Sequence, residues 1–224
     1  MNKLLSEMTL NELWELFPVI LSEHKTYWSD WYAQEKRRIE TFLQMPDVRI
    51  SHVGSTAVPG IWAKPIIDIL VEIPKTASME YVKEVLTRHG YICMSERDNR
   101  KSFNKGYTEN GFAEKVFHLH LRYYGDHDEL YFRDYLKGNP AAAKEYEALK
   151  LSLWKKYEHN RDAYTDAKSE FVKECTEKAK LDHRDVDRIM IEVLFGESEA
   201  ASMESRKEQG GNLSWLYAGY RFMP

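Results

Sequence analysis

An α/β (α+β) fold, a sheet flanked by helices with a helical C-terminal extension, is what this sequence predicts, and three observations carry the prediction. Ile66-Ile67-Asp68-Ile69-Leu70-Val71-Glu72-Ile73 is a nearly continuous aliphatic run followed, after Pro74, by a helical pattern and then by a second short apolar run, which makes a strand, helix, strand unit. Val116 to Tyr124 alternates Phe117, Leu119 and Leu121 with His118, His120 and Arg122, the period of a strand with one apolar face. Beyond it, the apolar positions recur at helical spacing.

Taken in order, Thr9-Leu10-Asn11-Glu12 has the form of a capping box, so a short helix starts there and stops near Pro18. A longer helix is expected from about Glu23 to about Gln44, with Trp28, Trp31, Tyr32, Ile39, Phe42 and Leu43 as its apolar stripe and Lys36, Arg37 and Arg38 on the wetter side. Val48, Ile50 and His52 alternate with Arg49 and Ser51, a half-buried strand that leads into a Gly54-Ser55 turn. Thr56 to Ala63, which contains Pro59-Gly60, is irregular or helical. In the strand from Ile66 to Ile73, Asp68, Leu70 and Glu72 share one face. Ser78 caps a helix carrying Met79, Val82, Val85 and Leu86, and Gly90 ends it.

Tyr91 to Met94 reads as a strand, and the basic stretch from Arg97 to Gly106 as a turn plus an edge strand. Asp128 opens a helix through Lys137 that Gly138 closes, and Asn139-Pro140 opens the next, with Tyr146, Leu149, Leu153 and Tyr157 on its stripe. A helix from about Thr165 to about Lys180 follows, and a separate one carries Ile189, Met190, Val193 and Leu194 up to Gly196. Residues 197–212 read as a linker, and the aromatic tail 213–224 as a segment that docks on its own domain or on a second copy, giving a homo-oligomer. The expected organisation is an N-terminal helical segment over 1–22, a main domain over 23–180 and a C-terminal helix, linker and tail over 181–224.

Composition narrows the functions. In 224 residues the net charge is −4, with both signs mixed, so neither a nucleic-acid face nor a disordered acidic block is implied. Cys93 and Cys175 fall in different expected elements and read as reduced thiols rather than a disulfide. Without an apolar run long enough for a membrane span or a signal region, the expectation is a soluble, cytoplasmic protein with no membrane partner.

Chemistry concentrates where the Gly54-Ser55 turn precedes the Asp68 strand. Gly54, Ser55 and Thr56 can turn backbone N–H groups and hydroxyls toward a phosphate, and Asp68 can hold a divalent ion that bridges it; the competing reading is an ordinary turn beside a carboxylate met by a backbone donor. His118 and His120 project from one strand face and can join Asp68 as metal ligands, or be satisfied within the fold. Lys64 can balance phosphate charge, as can Arg100, Lys101 and Lys105, while Arg133 can pair with Asp134 or help shape the phosphate site. His52 and Glu72 stand behind this group as supporting candidates.

Val53-Gly54-Ser55, followed at a distance by Asp68 on an apolar strand, resembles the nucleotidyltransferase superfamily pattern. More closely, the chain resembles the GrpB family through five ordered motifs: His52 to Gly60, Lys64-Pro65-Ile66-Ile67-Asp68, His118-Leu119-His120, Phe132-Arg133-Asp134-Tyr135-Leu136 and Tyr164-Thr165-Asp166-Ala167-Lys168. The match covers roughly residues 20–180. The resemblance implies a nucleotidyltransferase-like mixed sheet, with Asp68 and His120 as catalytic candidates, and a nucleotide or other phosphate-bearing small molecule as ligand. A divalent metal is implied too, magnesium or manganese, with zinc an option because imidazoles join the donor set. One departure matters. Active members carry a second acid two residues after the first, to grip two ions during in-line displacement, and this chain has Leu70 there. Three functions therefore compete: a metal-dependent nucleotidyl or phosphoryl transferase, a non-catalytic nucleotide- or phosphate-binding module, and an interaction protein acting through its tail.

Overall fold

A computed structural model describes the backbone of residues 3–195 and the side chains of residues 3–183, and it divides the chain into two compact units, 1–177 and 178–224. The first unit is built on one five-stranded sheet. Its elements run α1 (Leu10–Leu16), α2 (Tyr27–Leu43), β1 (Arg49–Val53), β2 (Ile66–Ile73), α3 (Met79–Arg88), β3 (Ile92–Arg97), β4 (Arg100–Thr108), β5 (Gly111–Tyr123), α4 (Asp128–Gly138), α5 (Pro140–Trp154), α6 (Arg161–Asp166) and the start of α7 (Ser169–Phe195). The strand order is β1-β2-β5-β4-β3, with β2 and β5 parallel and the other pairs antiparallel, so the sheet is mixed as expected.

Register separates the two faces. Ile67, Ile69 and Val71 of β2 stand beside Phe117, Leu119 and Leu121 of β5, and this face packs under Trp28, Ile39 and Leu43 of α2 and Val82 and Leu86 of α3. The strand pattern and the helix stripes thus meet in one core, where burial of aliphatic area supplies most of the driving force. The opposite face carries two polar rows: Val53, Asp68, His118 and Asn104, then Ser51, Leu70, His120 and Ser102. Beyond the sheet, α4, α5 and the start of α7 bury Phe132, Leu136, Tyr146 and Cys175 together.

The 97–106 stretch is not an edge. It forms β4, bonded on both sides, and β3 takes the edge. The sequence hides this because charges occupy its apolar-face positions: buried Lys101 is neutralised by Glu80 and Glu96, and Lys105 reaches Glu35 at 2.6 Å. Glu35 is 0 % exposed in the middle of α2, and Tyr91 donates to it at 3.0 Å. A buried acid within a basic helix stretch is invisible to a periodicity argument, because its partners come from strands far along the chain. Gly106, at φ +90°, marks the register shift between β4 and β5; a Cβ there would sit 2.3 Å from the Lys115 carbonyl oxygen.

The helix expected from Thr165 to Lys180 is broken at its start into α6 and α7, and Tyr157 lies past the end of α5. At the other end α7 continues to Phe195 where two helices were expected. The side chains of Ile189, Met190, Val193 and Leu194, the linker over 197–212 and the tail over 213–224 lie outside the described residues. Among the described residues no helix is long and apolar enough to cross a membrane.

Candidate functional site

Gly54 sits at φ +68° and ψ −172°, a backbone state that only glycine tolerates well, and begins a 3-10 turn over Ser55–Ala57. The reason for glycine is contact as well as conformation: a Cβ on Gly54 would lie 2.2 Å from Oδ2 of Asp68. The turn is pinned by Thr56, whose hydroxyl donates to the Ile66 carbonyl at 3.3 Å and lies 3.0 Å from His52 Nε2. Gly54 and Asp68, distant in sequence, are brought together because β1 pairs antiparallel with β2, Val53 opposite Asp68.

Asp68 is the centre of a short relay. His118, beside it in register on β5, places Nδ1 3.4 Å from Asp68 Oδ1, and its Nε2 lies 2.8 Å from the Tyr107 hydroxyl. The carboxylate favours a proton on Nδ1, so Nε2 accepts from Tyr107. His120 Nε2 is farther from the same carboxylate oxygen, at 3.9 Å. Burial alone would raise the Asp68 carboxyl, but His118 and His120 against it hold it well below the usual carboxylate range. Burial pushes His118 the other way, below the ordinary imidazole value, and Asp68 only partly offsets this. The pair is an ionised carboxylate beside a neutral imidazole.

A cavity of about 880 Å³ opens beside this relay. Gly54, Ser55, Thr56, Lys64, Asp68 and His118 line it, so the structure brings these six sequence candidates together. The wall opposite adds cations that the sequence reading gave no role. Lys150, 2 % exposed, donates to the Trp62 carbonyl and lies 4.8 Å from the Tyr146 ring centroid. Lys168 and Lys64 lie over the same Tyr164 ring, at 4.1 and 5.5 Å, and Arg161 covers Tyr107 at 5.3 Å. Burial depresses all three lysines, Lys64 to about 8, with Arg161 adding to the fall, and Lys150 and Lys168 to about 7, with neighbouring lysines adding to it. Tyr164 is buried, lines the same cavity and has no hydrogen-bond partner for its hydroxyl among the described residues. Lys168 was legible only as the last residue of the Tyr164-to-Lys168 motif; Lys150 looks like any solvated helix lysine, and Arg161 and Tyr107 carry no local signal.

The remaining candidates stand elsewhere. His120 is not among the residues lining the cavity. His52 points to the other sheet face, stacked on Tyr32 at 4.7 Å between ring centroids, and burial lowers it to about 4. Arg133 donates to the His52 carbonyl at 2.9 Å and pairs with Asp134 at 2.7 Å, which makes it a strap from α4 to β1. Glu72 is buried against His127 at 2.9 Å. Arg100 pairs with Asp126, and Lys101 and Lys105 with the acids named above.

A two-ion clamp does not fit these residues. Leu70, at the place of the second acid, is 0 % exposed, and Glu72 is already engaged. Among the described residues no group of three His, Cys, Asp or Glu side chains is placed to hold a metal ion. Both ring nitrogens of His118 have partners in this arrangement, Asp68 at Nδ1 and Tyr107 at Nε2. What the site offers instead is a group of four cations, Lys64, Lys150, Lys168 and Arg161, lining the same cavity as Asp68, Glu109 and Asp162.

The model of the GrpB protein family matches residues 18–178. The glutamate-rich protein GrpB of Alkalihalophilus pseudofirmus is 39 % identical over 162 residues, 70 % of this chain and 92 % of that protein. The UPF0157 protein YqkA of Bacillus subtilis is 31 % identical over 165 residues, 72 % of this chain but only 47 % of that protein, so this chain spans about half of that relative. Among solved structures, the conserved protein GrpB from Enterococcus faecalis aligns with a TM-score of 0.64 at 27 % identity, over 73 % of this chain and 99 % of that one. The family match spans the Gly54 turn, the Asp68 strand, the His118 strand and the α6–α7 turn carrying Lys168, and this chain belongs to the GrpB family.

Proposed function

We propose that this chain binds a phosphate-bearing small molecule, nucleotides included, in the cavity beside Asp68, and that it acts as a binding module rather than a two-ion transferase. One observation supports the reading above the others: Lys64, Lys150, Lys168 and Arg161 converge on one cavity with a single relay carboxylate, Asp68, beside them. Buried like charges repel, and an anion with two or more charges is the ligand that relieves them. The Gly54-Ser55 turn and the Tyr164 hydroxyl add donors of the kind phosphate oxygens take. A divalent ion, if one takes part, arrives with the phosphate, since among the described residues no three His, Cys, Asp or Glu side chains are grouped to hold one. Transfer chemistry is the second reading, favoured by the Tyr107, His118, Asp68 series, which could move a proton at the cavity wall.

Thermal denaturation in the presence of orthophosphate, tripolyphosphate and nucleoside triphosphates, each with and without magnesium, tests the proposal. A ligand at about 100 times its Kd adds about 2.7 kcal/mol, a rise in Tm of about 5–10 °C for a chain of this size. Lys168→Ala should reduce that affinity by about tenfold or more, the loss of one charge-assisted hydrogen bond. No shift with any of these anions rejects the binding reading; consumption of the nucleotide with release of product moves the assignment to transfer.

A further inference from the structure

The cavity has a second character that the phosphate reading does not use. Its far wall is the N-terminal segment, where Leu4, Leu5, Leu10, Leu13 and Trp14 line the same space as Lys64 and Lys168. This segment precedes the stretch shared with the family, which begins at residue 18. It is held in place by design of its own sequence: Thr9 and Glu12 cap α1 reciprocally, and Lys3 pairs with Glu12 at 2.8 Å. Ile92 and Met94, from the sheet edge, complete the wall. Of the nine large apolar side chains that stand exposed among the described residues, Leu4, Leu10, Ile92 and Met94 all line this cavity. Aliphatic side chains collected on one wall are left in water unless something apolar covers them.

We infer that the ligand is an amphipathic phosphate ester, its phosphate held by Lys64, Lys168 and the unpartnered Tyr164 hydroxyl and an aliphatic chain laid along the N-terminal wall. The inference rests on the phosphate reading and adds the class of the ester. Continuity decides for one small molecule: the cationic end and the aliphatic end belong to a single cavity, so an occupant that fits both carries an anionic head and an apolar body. Ser6, Asn104 and Glu109 also line the cavity and could meet a base edge, but the five apolar side chains of the N-terminal segment together with Ile92 and Met94 outnumber them, which favours an aliphatic body. The wall also explains why α1 is kept in place by capping although it buries no side chain of its own.

Isothermal titration of the full chain with methyl phosphate, octyl phosphate below its micelle concentration, adenosine monophosphate and tripolyphosphate tests the inference. Octyl phosphate is expected to bind at least tenfold tighter than methyl phosphate and than adenosine monophosphate. Leu10→Asp and Met94→Asp, both at exposed positions and so compatible with folding, should each remove most of that gain, read within each variant as the ratio of octyl phosphate to methyl phosphate affinity. Lys168→Ala should weaken every ligand. Equal affinity for octyl and methyl phosphate, or a gain that survives both wall variants, overturns the inference while the phosphate reading stands. If tripolyphosphate and all the esters fail to bind, the phosphate reading falls and the inference with it. A dimer in light scattering that Leu10→Asp splits would assign the wall to a second copy and overturn the inference as well.

Discussion

Replacing Gly54 by alanine should damage this protein more than any other single methyl group added to its loops. Two costs combine. At φ +68° and ψ −172° an L residue is strained by about 1–3 kcal/mol. The new Cβ would also lie 2.2 Å from Oδ2, 2.9 Å from Cγ and 3.0 Å from Cβ of Asp68, so the carboxylate must leave its place beside His118 or the turn must lift off β2. Overpacking of this kind costs about another 1–3 kcal/mol, giving about 2–6 kcal/mol in all. Urea denaturation followed by the fluorescence of the six tryptophans reads this directly. With m of about 1–3 kcal/mol/M, a loss near the middle of that range moves the midpoint by about 1–4 M. A double-mutant cycle with Asp68→Ala separates the terms: removing the carboxylate should recover the overpacking part, a coupling of about 1–3 kcal/mol, and leave the backbone part. A Gly54→Ala loss under about 1 kcal/mol, or a cycle with no coupling, would show that the turn does not press on Asp68, and the geometry of the site as described would be wrong.

Other perturbations follow from the same coordinates. Lys150, depressed to about 7 when folded and near its ordinary value of 10.5 when unfolded, binds fewer protons in the native state between those values, so stability rises with pH across that window. Lys150→Met should flatten the slope by up to about 1.4 kcal/mol per pH unit in denaturation series run from pH 7 to 9; an unchanged slope would mean the amine is hydrated. His127 is raised above its ordinary value, chiefly by its hydrogen bond to Glu72, so its charged-state contribution is complete below about pH 6.5 and is lost as pH rises through the folded pKa. His127→Ala should therefore cost more at pH 6 than at pH 9, and equal costs at both would refute the ion pair. Leu70→Asp, which restores the missing acid in name, should destabilise by about 3 kcal/mol or more because the position is 0 % exposed. Wild-type-like stability in that variant, with new metal binding by calorimetry, would mean the site has room for a two-ion clamp after all.

The sequence carried the frame well because the frame is periodic. Ile67, Ile69 and Val71 against Phe117, Leu119 and Leu121 are an alternation that only one face assignment satisfies, and a one-residue slip would have turned Asp68 into the core. The same alternation put Asp68 on one face of its strand and His118 and His120 on one face of theirs; joining the two rested on the family resemblance, and the parallel pairing of β2 and β5 sets His118 beside Asp68. β4 was harder, because Lys101 and Lys105 occupy its buried-face positions and their acids come from α2, α3 and β3. The site split along the same line. Gly54, Ser55, Lys64 and Asp68 are close in sequence and were legible; Lys150, Arg161 and Tyr107 reach the cavity from separate elements, and nothing in their immediate neighbours marks them. His52, read as a supporting residue, stands behind the turn through Thr56, while Arg133, conspicuous in its motif, ties α4 to β1 through the His52 carbonyl.

The lysine wall joins stability to binding in a way that either property alone would not reveal. Three amines sharing one cavity, Lys150 buried and Lys64 and Lys168 half-buried, are a cost to the fold whenever they are protonated, and that cost is relieved by two routes, loss of protons at alkaline pH or arrival of an anion. The routes exclude each other: an amine that has given up its proton no longer attracts phosphate. Stability without ligand should therefore rise with pH above 7 while affinity for tripolyphosphate falls, and binding at pH 8 should draw protons from solution. Titrations in two buffers of different ionisation enthalpy measure that uptake. Since Lys150 and Lys168 lie near 7 and Lys64 near 8, the uptake comes mainly from the first two at that pH. A fold that keeps such a wall, with one ionised carboxylate held beside it by His118, is arranged around a charge it does not itself contain.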